Sequence, residues 1–408
     1  MIVLMLGMTA CLKDKDTKSY TIFRPVYKDK NEVVASVGSH AAKTVINPGK
    51  IYLYGQYIFL NEVNMGVHII DNANPSSPRR VAFIDIPGNI DMAVKNNILY
   101  ADLFTDMLAI DISDPLRARV TKRIENVFPE RSYGNGFMAE AGKFIVDWIK
   151  KDTTLSINSE MGMGCTNCGI LFDTRLSSAQ SNFKSSSAPG VGVAGSMSRF
   201  AIVNDFLYTV NNSTLATHDI RNASDPQYKS SNGLGWNIET IYPFKDKLFI
   251  GSASGMFIFD ISTPDLPVYQ SAFSHAKACD PVVADDQYAY VTLRAGTFCQ
   301  GSTSNQLDVI NVENIQSPKL VRTYQLENPH GLGKDGNLLW ICDGTAGLKL
   351  FDATKPADMK QMKTISGIEA FDVIPWNGKM IVTGKEGLYQ YDYTNLNNII
   401  LLSKMPVN

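Results

Sequence analysis

Gly255-Met-Phe-Ile-Phe-Asp260-Ile-Ser-Thr-Pro264 is an apolar strand, then an Asp, then a turn closed by Pro. The chain repeats it. Val67-His-Ile-Ile-Asp71 runs into Pro75, Leu108-Ala-Ile-Asp111 into Pro115, Ala216-Thr-His-Asp219 into Pro226, and Leu348-Lys-Leu-Phe-Asp352 into Pro356. Ile170-Leu-Phe-Asp173 and Leu388-Tyr-Gln-Tyr-Asp392 carry the strand and the Asp, and Val309-Ile-Asn311 has Asn in the Asp slot. The anchors at 71, 111, 173, 219, 260, 311, 352 and 392 are separated by steps of roughly 40 to 62 residues. A period near forty is that of a four-stranded propeller blade, and longer steps mark insertions.

Upstream of each anchor lies another apolar strand after a polar turn, as in Gly55-Gln-Tyr-Ile-Phe59, Asn96-Asn-Ile-Leu-Tyr100 and Asp335-Gly-Asn-Leu-Leu-Trp340. Paired Asn, Asp and Gly between apolar runs mark hairpins. A further strand precedes each hairpin (Glu239-Thr-Ile-Tyr242), and one more follows the Pro (Lys319-Leu-Val-Arg-Thr-Tyr324). Four short antiparallel strands per repeat predict an all-β chain, a single β-propeller of eight four-stranded blades. Seven blades is the alternative, because the third repeat, at Asp173, is distorted. The motif Asp reads as structural, its carboxylate bonding the backbone of the following turn.

The Leu/Ile/Phe-rich triplet before Asp, followed by Ile-Ser-Asp-Pro115, resembles the LVIVD-repeat family of bacterial and archaeal surface proteins over roughly residues 48 to 395. The resemblance implies a β-propeller and attaches no general activity to it.

Composition narrows the function. With 408 residues and a net charge of -2, the chain is long enough for a buried core and has no basic excess to suit a nucleic acid. Met1-Ile-Val-Leu-Met-Leu-Gly-Met-Thr-Ala-Cys11 looks like the end of a lipoprotein signal peptide, with Cys11 the lipidated residue. The run is short and no Lys or Arg precedes it, which points to a start upstream of Met1. The organisation expected is therefore a signal and lipidated Cys over 1–11, a charged tether over 12–20 and a propeller over 21–408, with insertion loops at about 150–196 and 295–304. Ile22–Tyr27 and Glu32–Val37 at one end and Ile399–Leu402 at the other are both candidates to complete the last blade, since ring closure commonly mixes strands from both termini.

The Ser- and Gly-rich stretch 177–195 reads as a mobile loop. Cys165 and Cys168 precede it as Cys-x-x-Cys. A redox pair would need a thioredoxin-like context and a zinc half-site two further ligands, and neither is nearby. A local disulfide or free structural thiols is the expectation. Cys279 and Cys299 fall on loops of one face of the sixth repeat and form a second disulfide candidate.

Aligning the repeats on their hairpin aromatic and stepping back to the start of the inner strand gives Gly49, Asp91 (one residue closer), Asn135, Ser198, Glu239, Asp280, His330 and Phe371, with Glu369 just ahead of the last. Asp91, Glu239, Asp280, His330 and Glu369 are thus the candidate ligand- or cation-binding residues at one mouth of the channel. Such carboxylates bind a cation such as calcium or form general acid–base pairs. In the plainer reading they line a wet polar channel, neutralised by Lys50, Arg199 and Arg294. No nucleophile elbow, zincin helix or phosphate loop is present, no catalytic residue is assigned, and no cofactor is expected beyond a structural cation.

The expected function is that of a lipid-anchored, non-catalytic binding or scaffold protein of the bacterial envelope, on the outer membrane. Its partner is an envelope protein or a glycan, its membrane contact is the lipid alone, and it is a monomer. The alternative is an extracellular enzyme acting on a glycan or small molecule through Asp91, Glu239, Asp280 and His330.

Overall fold

The polar pairs of the sequence close hairpins as their chemistry requires. Asn96 and Asn97 have φ of 46° and 59°, and Gly55 has 57°; this left-handed backbone fits a tight turn to the twist of its flanking strands. The computed structural model describes residues 17–129, 139–156, 170–172, 193–235, 237–275, 281–296 and 304–407. These fall into two compact units, one taken from 1–30 and 132–180 and the other from 31–131 and 181–408.

The second unit contains seven antiparallel sheets, each with four sequential strands. As blades 1 to 7 they occupy 48–85, 92–124, 200–233, 238–274, 282–325, 332–365 and 370–406. The first strand of a blade is innermost and its fourth is outermost. Second and third strands are buried along nearly their whole length, as in Ile98–Leu103 and Gly387–Asp392, because both faces pack against neighbouring blades. Trp340 of blade 6, for example, packs with Met380, Tyr391 and Tyr393 of blade 7 in one apolar cluster.

The count of eight blades is therefore corrected to seven. The third repeat builds no blade: Lys143–Ser156 pairs antiparallel with Thr17–Asp29, and Ile170–Phe172 joins that strand in parallel. This three-stranded sheet belongs to the first unit. The physical reason lies in the second strand of that repeat. The chain stays extended past Ile145 in a 14-residue strand, Lys143–Ser156, with no Asn or Gly in it to close a hairpin. Asp173 lies outside the described residues.

Ring closure draws on the C-terminal candidate, Ile400–Pro406. Blade 7 takes its four strands from the C-terminal end, and among the described residues no N-terminal strand joins it. Lys30–Ala35 is a helix, and Gly38–Ala41 pairs instead with the outer strand of blade 1. Blades 7 and 1 meet side by side through a parallel bridge from Val45 to Val407 and a bond from Gln390 Nε2 to Asn72 Oδ1 at 2.7 Å.

The motif Asp is structural in every described blade. Asp260 Oδ1 accepts from the Ser262 amide at 2.8 Å, and Asp71, Asp111, Asp352 and Asp392 each accept from the amide two residues on. Asn311 does the same at 3.3 Å. In blade 3, Asp219 takes Arg221 and Lys229 instead. The next amide bonds the blade's first hairpin, as from Ile261 to the Asp246 carbonyl and from Tyr393 to Gly378, both at 2.8 Å. Just before the anchor, the pairing of third and fourth strands slips at a bulge in each blade, for instance at Ile258/Phe259 and Gln390/Tyr391. A bulge strengthens local twist, and here it turns the chain into the Pro loop. That loop then receives the neighbouring blade: Tyr208 Oη donates to the Pro264 carbonyl at 2.7 Å and Tyr324 Oη to that of Pro356 at 2.8 Å.

The Ser262 hydroxyl, assisted by its amide and by Lys247, holds the Asp260 carboxyl down at about 2. Asp260→Ala is expected to cost about 1 kcal/mol, the net worth of a turn hydrogen bond. Asp260→Asn should cost less, because Asn311 already makes the same bond. Urea unfolding of the two variants checks this.

Candidate functional site

At the centre of the ring, the hairpin pairings align the inner strands. Tyr52 faces Phe59, Ala93 faces Tyr100, Ala201 faces Tyr208, Tyr242 faces Phe249, Val283 faces Tyr290, Gly333 faces Trp340 and Ile374 faces Ile381. Two residues back along the chain, in or just before each inner strand, stand Lys50, Asp91, Arg199, Thr240, Pro281, Gly331 and Asp372. From blade 7 through blade 3 this level alternates in charge: Asp372, Lys50, Asp91, Arg199.

A short segment crosses this level. Val193–Ala194 pairs antiparallel with Leu53 and Tyr52 on the inner edge of blade 1. Ser196 Oγ then donates to Asp372 Oδ1 of blade 7 at 3.2 Å and accepts from the Leu332 amide of blade 6 at 2.8 Å. Ser198 Oγ lies 3.4 Å from both Asp91 oxygens of blade 2, and its carbonyl accepts from the Ile241 amide of blade 4 at 2.8 Å. Ser196 and Ser198 are each 2% exposed. The end of the Ser/Gly-rich stretch, expected as loop, is thus a strap that ties opposite sides of the ring together. Its glycine has a steric reason: a Cβ on Gly195 would stand 1.9 Å from Asp372 Oδ2, and one on Gly331 would stand 2.2 Å from Asp372 Oδ1.

Lys50 and Asp91 at this level satisfy each other. Lys50 Nζ is 2.8 Å from Asp91 Oδ2, and the Arg199 amide bonds the same oxygen. Burial pulls the Lys50 ammonium down, with Asp91 opposing and Arg199 adding to the effect. Asp372 differs. Its Oδ1 also accepts from the Val373 amide at 3.0 Å, while its buried Oδ2 makes no hydrogen bond. Burial pushes the Asp372 carboxyl up to about 7, against weaker pulls from the Val373 amide, Ser196 and Lys50.

Of the residues singled out in the sequence, Asp91 lies in this centre, paired. His330 lies nearby, with Arg294 Nη1 3.2 Å from its Nδ1. Burial first, and the Arg294 charge second, push the imidazole down to about 4, so it is neutral at pH 7. Glu239 acts on Arg294 electrostatically. Glu369 does not join them; it pairs with Lys385 of its own blade at 2.6 Å. Asp280, Cys11, Cys165, Cys168, Cys279 and Cys299 lie outside the described residues. Among the described residues, no three His, Cys, Asp or Glu side chains come together in a set able to hold a metal ion. The sequence alignment missed Asp372 by one position. Its register was set on Phe371, although Asp91 had already called for a one-residue shift. Nothing in the sequence marks Ser196, whose role depends on a chain crossing between distant blades.

The family model for the LVIVD repeat matches residues 48–83, which is blade 1 from its first strand into its fourth. This chain carries an LVIVD repeat and folds as a β-propeller. The strand and bulge of the matched repeat recur in the blades that follow, and its Asx turn in all of them but blade 3. No curated protein matches the chain in sequence. Among solved structures it is similar to the computationally designed Ika8 protein, at 9% identity and a TM-score of 0.52 over 91% of this chain and 89% of that one. It is similar to BamB from Moraxella catarrhalis at 8% and 0.51, over 85% and 83%. It is also similar to a protein from Lactobacillus plantarum at 12% and 0.52, over 88% and 96%. At these identities the likeness is one of fold.

Because the folded Asp372 carboxyl holds its proton more tightly than an unfolded one, its contribution is most favourable below about pH 4 and is lost as pH rises through about 7. Asp372→Asn should remove this dependence, so that thermal melting shows the variant gaining on the parent from pH 5 to pH 8, by on the order of 1–3 kcal/mol. Gly195→Ala should cost about 1–3 kcal/mol by overpacking. Adding Asp372→Ala should restore part of that loss, giving a non-additive cycle in denaturant unfolding.

Proposed function

We propose that this propeller is a non-catalytic binding or scaffold protein, anchored through a lipid on Cys11 to the outer membrane of a bacterial envelope. It presents its outer surface to an envelope protein or a glycan. The observation that carries the reading is the filled centre. Where a propeller enzyme would keep an open, polar cavity, the strap through Ser196 and Ser198 occupies the axis. Asp91 is bonded to Lys50, Ser198 and the Arg199 amide, so it is spoken for as a base or ligand. Surface outside the axis is what this leaves for a partner. The anchor rests on the apolar run that ends in Thr-Ala-Cys11; acyl chains hold such a protein at a membrane while the domain stays in water.

Crosslinking in native envelopes with the tagged full chain tests both halves. The parent and Asp91→Asn are expected to capture the same partner, and Cys11→Ala should release the protein into the soluble fraction. Capture lost in Asp91→Asn, with melting unchanged, would return the function to the channel. A Cys11→Ala protein that stays in the membrane would remove the anchor.

A further inference from the structure

The seam where blade 7 meets blade 1 carries a groove of about 700 Å³. Three stretches of chain form it: the crossing from Gly38–Ala41 toward the bridge at Val45, the motif turn and outer strand of blade 1, and the outer strand of blade 7. Each contributes one cation, Lys43, Arg80 and Lys404 respectively. Ser76 and Ser77 add hydroxyls, prolines and a methionine add apolar surface, and no carboxylate lines the groove. In a chain with 40 acidic and 38 basic residues, such a one-sided lining stands out.

Two of the cations are held in place by what they touch. Lys43 Nζ sits 4.3 Å from the centroid of the Phe83 ring and 2.6 Å from Asp85. Lys404 Nζ sits 4.9 Å from the centroid of Tyr389. Arg80 and Lys404 form no ion pair with a carboxylate among the described residues, whereas the adjacent Arg79 is paired with Asp71 at 2.6 Å. Arg80 and Lys404, on a concave surface and not neutralised within the protein, concentrate anions there. A volume of this size suits several linked rings better than a lone inorganic ion.

We propose that this groove binds an acidic oligosaccharide. Its carboxylate or sulfate groups lie against Arg80 and Lys404, its ring hydroxyls meet Ser76 and Ser77, and its ring faces rest on the apolar surface. This rests on the reading of the chain as a binding protein and specifies one ligand class for it.

Calorimetric titration of the full chain at low salt tests the assignment, with tetragalacturonate, a heparin-derived tetrasaccharide and neutral maltotetraose as probes. At least one acidic probe should bind about tenfold or more tightly than maltotetraose, and added salt should weaken it. The stronger acidic probe tells whether carboxylate or sulfate is preferred. The combined Arg80→Gln and Lys404→Gln variant should lose about tenfold or more in affinity without a change in melting. If it melts early, Lys404→Gln alone serves, because Lys404 is exposed. Acidic probes that bind no better than maltotetraose, or binding that survives these substitutions, would overturn the proposal. A partner still captured in envelopes would then leave the binding function standing without this groove.

Discussion

A four-stranded sheet whose middle strands are apolar on both faces has no stable existence by itself. In this chain strands such as Ile98–Leu103 and Gly387–Asp392 are buried along nearly their whole length, and the apolar clusters that bury them run from one blade to the next. Stacking must therefore continue until the last sheet meets the first. Once it does, blade 7 rests against blade 1 through Val45, Val407 and Gln390, and the polar ends of the inner strands are brought together around one axis.

The cost of that convergence falls at the centre. Charged groups gathered in a narrow buried space must be paired or neutralised, and the arrangement does both. Lys50 and Asp91 pair, with Ser198 and the Arg199 amide completing the shell of Asp91. Asp372, with one oxygen lacking a hydrogen bond, meets the same demand by holding its proton up to about pH 7. The strap supplies the hydroxyls these groups need, and two glycines leave room for the Asp372 carboxylate. The centre is built mainly as a fastening between blades.

Much of this was legible along the chain, and the reasons are local. The Asx turn at Asp260 and the left-handed Asn96-Asn97 hairpin use groups within a few residues of one another, so the sequence carries them directly. The family resemblance rested on the same short-range chemistry. The site was legible only in part. Asp91 and His330 were placed near the axis, but Glu369 was not brought to it, because an ion pair with Lys385 in its own blade holds it aside. Asp372 escaped because bulges in the inner strands, such as the one between Ala370 and Asp372, shift register by one residue. A period of two along a strand makes such a shift decisive.

The sequence by itself determined the repeating unit: strand, polar hairpin, strand, Asp, Pro turn, strand, each step set by interactions over a few residues. It thereby determined that the chain is all-β and propeller-forming. The tertiary structure alone decided how many units close the ring, because the third repeat pairs with Thr17–Asp29, more than a hundred residues away. It alone decided that Val193–Ser198 crosses the axis and that Lys43, Arg80 and Lys404 share one groove. Contacts between residues so far apart in the chain leave no periodic trace, since they arise only after the blades have stacked.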